Sequence, residues 1–347
     1  MRIGLLGFPQ SGRTTLFEAL SGGHARERVA SVPIPDPRLE TLARLADAKK
    51  VVPATLEWHD DLPEWYPDKP ETVRQTLSLA RQMDALVLVL RAFESPYAPY
   101  FTSIAPLRDL QFWLDQFVLS DLQVIENRLE RLKKLRQLHK ESPPDAMETM
   151  VLERMHAYLH QHGTLRTFEI PQDLMGRMRG YGFLTRKPVV VALNLDESQL
   201  GSAPPFLAEV QRRSVWEVVA LCAPFERDLT QVAKSEQAEF LQMVGLEAPR
   251  LPMLVRTVYA QLHLQVFYTV GDDTRAWLVP IGATALEAAG VIHSDLARGF
   301  IRAEVCHADT VIALGGWTNA QKAHKVRLEG KDYPLRDGDV IHVRFNS

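Results

Sequence analysis

Residues 7–14 read GFPQSGRT, one residue away from the phosphate-loop pattern G-x-x-x-x-G-K-[ST]. In that pattern glycines let successive backbone N–H groups curl around a β-phosphate, and the helix that follows aims its positive end at the same point. Gly7 and Gly12 keep this scaffold, Gln10 and Ser11 lie on the curl, and Thr14 and Thr15 open the helix. The Thr14 hydroxyl is of the type that holds Mg²⁺. Arg13 stands where the pattern has lysine. A guanidinium is longer, planar and forked, so it attracts phosphate in a geometry different from that of an ammonium. The residues alone also allow a turn that binds nothing.

Three further stretches carry chemistry. Residues 60–63, DDLP, fall at the end of a short strand-like segment and match D-x-x-G with its glycine replaced. Asp60 is a second Mg²⁺ candidate, or else a solvated turn acid, and proline has no N–H to offer a γ-phosphate. After the apolar run VVVAL (189–193) comes NLDE, with Asn194 and Glu197 three apart. By themselves these two are a turn residue and a solvated loop acid. RLERLKKLRQLHK (128–140) sets Arg128, Arg131, Lys133, Lys134, Arg136 and Lys140 against Glu130. Such a stripe can meet RNA phosphates or form the wet face of a helical pair. His293, Asp295 and Arg298 in IHSDLARGF read as turn and surface residues.

The elements that must position these residues alternate strand and helix. Strand 2–7 is followed by a helix over TTLFEAL, a Pro-rich connection, a helix over 40–48, a strand at 55–59, an amphipathic helix over 71–83 and the apolar strand 84–93. This alternation predicts a doubly wound sheet. From Leu107 to about His139 there is neither glycine nor proline, and Leu122, Ile125, Leu129, Leu132 and Leu135 recur at helical spacing. ESPPD (141–145) breaks this helix and a second runs to Gly163, giving an inserted hairpin. Strands at 189–193 and 215–221, with helices near 206–213 and 227–244, complete the α/β part. From about His263 the runs LQVFYTV, TRAWLVP, GFIRAEV, TVIAL, KVRLEG and DVIHVRF predict a separate β-rich domain. The expected division is a nucleotide-binding domain of residues 1–118 and 184–262, a helical insert of 119–183, and a last domain of 263–347.

With 347 residues, 46% hydrophobic and 24% charged, the chain has the composition of a globular protein with more than one domain. No apolar run approaches the roughly 20 residues that span a bilayer, and the first residues do not read as a secretory leader. A cytoplasmic address and no membrane partner are expected. Cys222 and Cys306 stand alone, without a Cys/His cluster for zinc. A net charge of −3 gives no global attraction for nucleic acid, and no DNA partner is expected.

Longer stretches carry a resemblance. RAWLVPIGATALEAAGVIHSDLARGFIRAEV (275–305) and LEGKDYPLRDGDVIHVRFN (328–346), with PIPDPRLETLARL (33–45), KPVVVALNLDES (187–198) and LCAPFERDL (221–229) in order, resemble the Obg-like ATPases of YchF type. The resemblance implies a P-loop α/β domain with an inserted helical hairpin and a C-terminal TGS-type, ubiquitin-like β-grasp. It implies ATP, with Asn194 and Glu197 of N-x-x-E and Cys222 and Ala223 on the base side, and association with the large ribosomal subunit. The sequence departs from that family at Arg13, at Pro63, in a first switch shortened to SGGHARERVAS without its threonine, and in PEWYPDKPE where a glycine-rich switch stands. An ATP-binding protein with slow or vanished hydrolysis follows. The alternatives are a competent ATPase working through Arg13, and an interaction protein that binds no nucleotide.

Overall fold

The computed structural model describes residues 1–23, 27–66, 69–202 and 204–346. Residues 24–26 of the first switch segment and 67–68 of the second lie outside it.

Two compact units emerge, one of residues 1–30 and 57–258, the other of 31–56 and 259–347. In the first, apolar runs too uniform for a one-sided sheet become strands buried on both faces, Ala85–Ala92 and Val189–Leu195 having every residue buried. The strand order is Val29–Pro33, Thr55–His59, Arg2–Gly7, Ala85–Ala92, Val189–Leu195, Glu217–Leu221. Arg2–Gly7 pairs in parallel with Thr55–His59 on one side and Ala85–Ala92 on the other, and the pairing continues in parallel to Glu217–Leu221. The order reverses beside Arg2–Gly7, and the crevice outside the carboxyl ends at such a switch point is where ligands bind in sheets of this kind.

The expected helical hairpin is present as Pro106–Gln137 and Pro143–His162. Ile125, Leu132, Leu152, Met155 and Leu159 are all but fully buried between the helices, each worth about 1.5–3 kcal/mol of transfer free energy. Gly163, at φ 66°, closes the second helix. At the base of the hairpin the buried Asp121 carboxylate accepts from the Leu184 and Thr185 amides, the Thr185 hydroxyl and Arg81. Toward the far end, buried Glu148 takes a bidentate pair from Arg128 at 2.9 and 2.8 Å and a further bond from Arg177 at 2.7 Å. Arg128 therefore belongs to the hairpin's interior bonding and not to the open basic stripe.

In the second unit the strand order is Arg327–Glu329, Phe300–His307, Asp339–Phe345, Leu264–Thr269, Asp273–Pro280, Lys50–Val52. An antiparallel hairpin, Leu264–Thr269 with Asp273–Pro280, leads to the helix Ala285–Ile292, and the last strand returns parallel to the first. That is the β-grasp arrangement. Phe267, Ala285, Ala288, Val305 and Ile341 form its core.

Four expectations differ. Residues 31–56, read with the nucleotide-binding domain, fold with the second unit: Lys50–Val52 pairs with Asp273–Arg275, and Arg38 bonds to Asp337. The stretch 227–244 is two helices, Ala223–Thr230 and Gln237–Met243. TVIAL is not a strand but part of the helix Ala308–Ala313, capped by His307 and stopped at Gly315 and Gly316; Ala308 and Val311, three apart, are its buried face. The helix Leu251–Gln261 went unread because its apolar residues run almost without interruption.

Candidate functional site

The loop leaves the carboxyl end of Arg2–Gly7 and enters the helix Arg13–Leu20. Gln10 at φ 64° and Gly12 at φ 88° are both left-handed, which turns the intervening amides inward. Neither glycine has room for a side chain. A Cβ on Gly7 would stand 2.6 Å from Ser11 Oγ and 2.9 Å from Val89 O, and one on Gly12 would stand 2.1 Å from Asn194 Nδ2. Two buried side chains brace the curl from outside. Arg91 Nη1 donates to Gln10 O at 2.9 Å, and Asn194 Nδ2 donates to Ser11 O at 3.0 Å. Asn194 Oδ1 accepts from the Ala223 amide at 2.9 Å, so one side chain ties the phosphate loop to the turn after Glu217–Leu221. Within the curl is a cavity of about 220 Å³ lined by residues 10–15, Phe8 and Glu64. Ser11 Oγ is buried beside it without a partner.

Arg13 is buried, with 4% of its surface exposed. Its Nε lies 2.7 Å from Asp60 Oδ1, off the angle of a hydrogen bond, so Oδ1 still lacks a donor, as do acceptors for both Nη atoms. Glu64 is 4.0 Å from Nη2. Thr14 Oγ1 donates to the other Asp60 oxygen at 3.1 Å. Asp60 is thus a fully buried carboxylate and not a solvated turn acid. The two Mg²⁺ candidates, Thr14 and Asp60, are bonded to each other with a guanidinium laid against the carboxylate. Thr14 is exposed and keeps its lone pairs, but the carboxylate beside it already carries the buried guanidinium, and a dication placed there would meet that positive charge, so the residues do not fit Mg²⁺. Among the described residues no group of three or more His, Cys, Asp or Glu side chains could hold a metal elsewhere.

The segment after Asp60 is anchored rather than free. Leu62 and Trp65 are buried, and the Trp65 ring packs tilted against Phe8 and Phe112, with centroids 4.9 and 4.4 Å away. Pro63 offers only its carbonyl, which accepts from Thr76 Oγ1 at 2.9 Å.

On the base side, Leu195, which stands where the guanine-binding pattern N-K-x-D has its lysine, is buried in the sheet core. The Asp196 carboxylate is taken up by the Ser198 amide and hydroxyl. Glu197 is exposed and lines a broad open cavity with Ser202, Gln242 and Gly245. Cys222 is buried, its thiol pushed up to about 11 by burial, which makes it inert packing. Asn194 is a bridge rather than a turn residue, and Thr15 is half-buried in the first helical turn. His293 caps a short surface helix in which Asp295 and Arg298 pair.

Sequence reasoning missed Arg91 and Glu64. An arginine inside an otherwise apolar strand was a visible signal, because such a charge needs buried acceptors, here Gln10 O and Phe93 O.

A sheet that is parallel but for its edge strand, with a phosphate-type loop at its switch point, defines a P-loop nucleotide-binding fold. Comparison with known proteins narrows this. The YchF-GTPase_C family model, described as a protein of unknown function, matches residues 264–346. The chain is 35% identical to the ribosome-binding ATPase YchF of Pasteurella multocida, and 36% to that of Haemophilus ducreyi, over 99% of both chains in each case. The solved YchF GTPase of Schizosaccharomyces pombe superimposes with a TM-score of 0.89 at 25% identity, over 99% of this chain and 97% of that one. A GTP-binding protein of Pyrococcus horikoshii, at 18% identity and TM-score 0.62 over the full length of both chains, shares the fold. This chain belongs to the YchF family.

Proposed function

We propose that the chain binds a nucleoside triphosphate, ATP before GTP, at residues 7–15 and works by nucleotide-dependent association with the ribosome. The observation that carries the reading is the braced, left-handed curl of amides around a cavity at a helix N-terminus. Its relatives are named ribosome-binding ATPases. The adenine preference rests on Asn194 and Glu197 fitting N-x-x-E, with Glu197 where N-K-x-D has the aspartate that accepts from guanine and the buried Leu195 where it has lysine. Turnover is slow, because γ-phosphate activation depends on positioned charge and donors, and Arg13 and Pro63 replace two of them.

The exposed Arg131, Lys133, Lys134 and Lys140 are the contacts proposed for ribosomal RNA phosphates. The hairpin residues 119–183 are the proposed arm, and the β-grasp a TGS-type domain. A cytoplasmic address accords with both, and no helix among the described residues is long and apolar enough to cross a membrane. Calorimetric titration with ATP and GTP tests the core of this reading. ATP binding more tightly is expected, and a tighter GTP complex refutes the base assignment.

A further inference from the structure

We propose that this loop takes the phosphates of its nucleotide without a divalent cation, Arg13 serving as the cation on Asp60. The inference rests on the nucleotide-binding reading above and adds the counter-ion to it.

In a phosphate site of the usual composition one cation reaches the phosphates from the loop and a second, a metal, bridges the phosphates to a carboxylate. Here a single side chain is placed for both tasks. Arg13 Nε lies against Asp60 Oδ1 at 2.7 Å, and its two Nη atoms are buried without acceptors. A guanidinium carries five N–H donors in a planar fork, and it matches phosphate oxygens two at a time. The unsatisfied half of that fork belongs to a residue lining the cavity within the loop. Buried donors without acceptors are costly, and oxygens of a bound phosphate are the groups that would relieve them. Glu64, 4.0 Å from Nη2, is too distant to do so as a hydrogen bond. The carboxylate that would face a metal already has the guanidinium against one oxygen and the Thr14 hydroxyl donating to the other at 3.1 Å, so its charge is taken up before any dication arrives. Lysine could not replace this arrangement: its compact ammonium cannot lie along a carboxylate through one nitrogen and present two others to a phosphate.

The test is calorimetric titration of the full chain with ADP, first in excess EDTA and then in excess MgCl₂. The expected dissociation constants agree within about threefold. In Arg13→Lys the ammonium no longer covers Asp60, and Mg²⁺ should tighten ADP by about tenfold or more. Asp60→Asn keeps an acceptor for Thr14 and removes the negative charge beside the guanidinium, so ADP in EDTA should bind more tightly; a carboxylate that holds a metal predicts weaker binding in MgCl₂ instead. Wild-type binding that strengthens more than about tenfold with Mg²⁺ overturns the inference and leaves the nucleotide reading standing. No heat of binding under either condition removes both.

Discussion

Asn194 and Gly12 provide a quantitative probe of how the loop is held. Replacing Asn194 with alanine leaves the Ser11 carbonyl and the Ala223 amide buried without partners, at about 1–2 kcal/mol each, so about 2–4 kcal/mol in total. Gly12→Ala has two costs. The left-handed backbone at φ 88° adds about 1–2 kcal/mol, and the new Cβ, 2.1 Å from Asn194 Nδ2, forces the amide away and breaks the same two bonds. With Asn194 already truncated only the backbone cost remains. The two single changes should therefore sum to about 2–4 kcal/mol more than the double change, the cost of the two bonds counted twice. Urea unfolding of the four proteins supplies the cycle, and amide exchange at Ala223 supplies a local reading, which should accelerate in both single variants. Additivity within about 0.5 kcal/mol, or unchanged exchange at Ala223 in Asn194→Ala, would show that the bridge does not carry the loop.

Other consequences can be checked separately. Arg13→Lys by itself should not produce robust ATP turnover, because Pro63 still lacks an N–H; adding Pro63→Gly should raise the rate of phosphate release further, and a fast single variant refutes this. Glu64→Gln removes a carboxylate from the cavity wall and should tighten ATP more than ADP in parallel titrations. In the hairpin, Ser142 and Arg177 hold Asp145 down at about 2, and Arg128, Tyr181 and Arg177 outweigh the burial of Glu148 and hold it below the usual carboxylate range. Both folded values lie below the unfolded ones, so this stabilisation is complete above about pH 5 and is lost as pH falls toward 2; helix content followed by circular dichroism should decline in that window. Glu148→Ala should cost about 2–4 kcal/mol in urea, most of it from stranding Arg128. Neutralising Lys133, Lys134 and Arg136 should weaken ribosome co-sedimentation and flatten its dependence on salt, and an unchanged slope returns the stripe to the solvated face.

Local pattern was enough wherever one interaction dominated. The leucine spacing of 122–135 defined the long helix, the uniform apolarity of 84–93 defined a strand covered on both faces, and the glycines of 7–12 defined the loop. Pattern failed where the deciding partner lies far along the chain. Nothing local in residues 31–56 shows that Asp36 accepts from Tyr268 or that Arg38 meets Asp337. The same holds at the site. Arg13 could be seen as a departure from the pattern, but its turn onto Asp60, 47 positions away, depends on sheet order. Asp60 left the choice between metal ligand and solvated acid open because its burial depends on residues far along the chain. TVIAL misled because five residues, four of them apolar in a row, are too few to separate a strand from a helical face.

The strand Lys50–Val52 also bears on how this chain can come into being. Its partners, Asp273–Arg275, follow some 220 residues later. At about 5–20 residues per second, a ribosome needs on the order of 10–40 s to supply them. Throughout that interval the sheet of the first unit can close around Arg2–Gly7, while Lys50–Val52 waits as an unpaired strand edge. A separate fragment of residues 259–347 inherits the converse defect, since Asp273–Pro280 would present the bare edge that Lys50–Val52 covers, and supplying residues 31–56 as a peptide should cap it in trans.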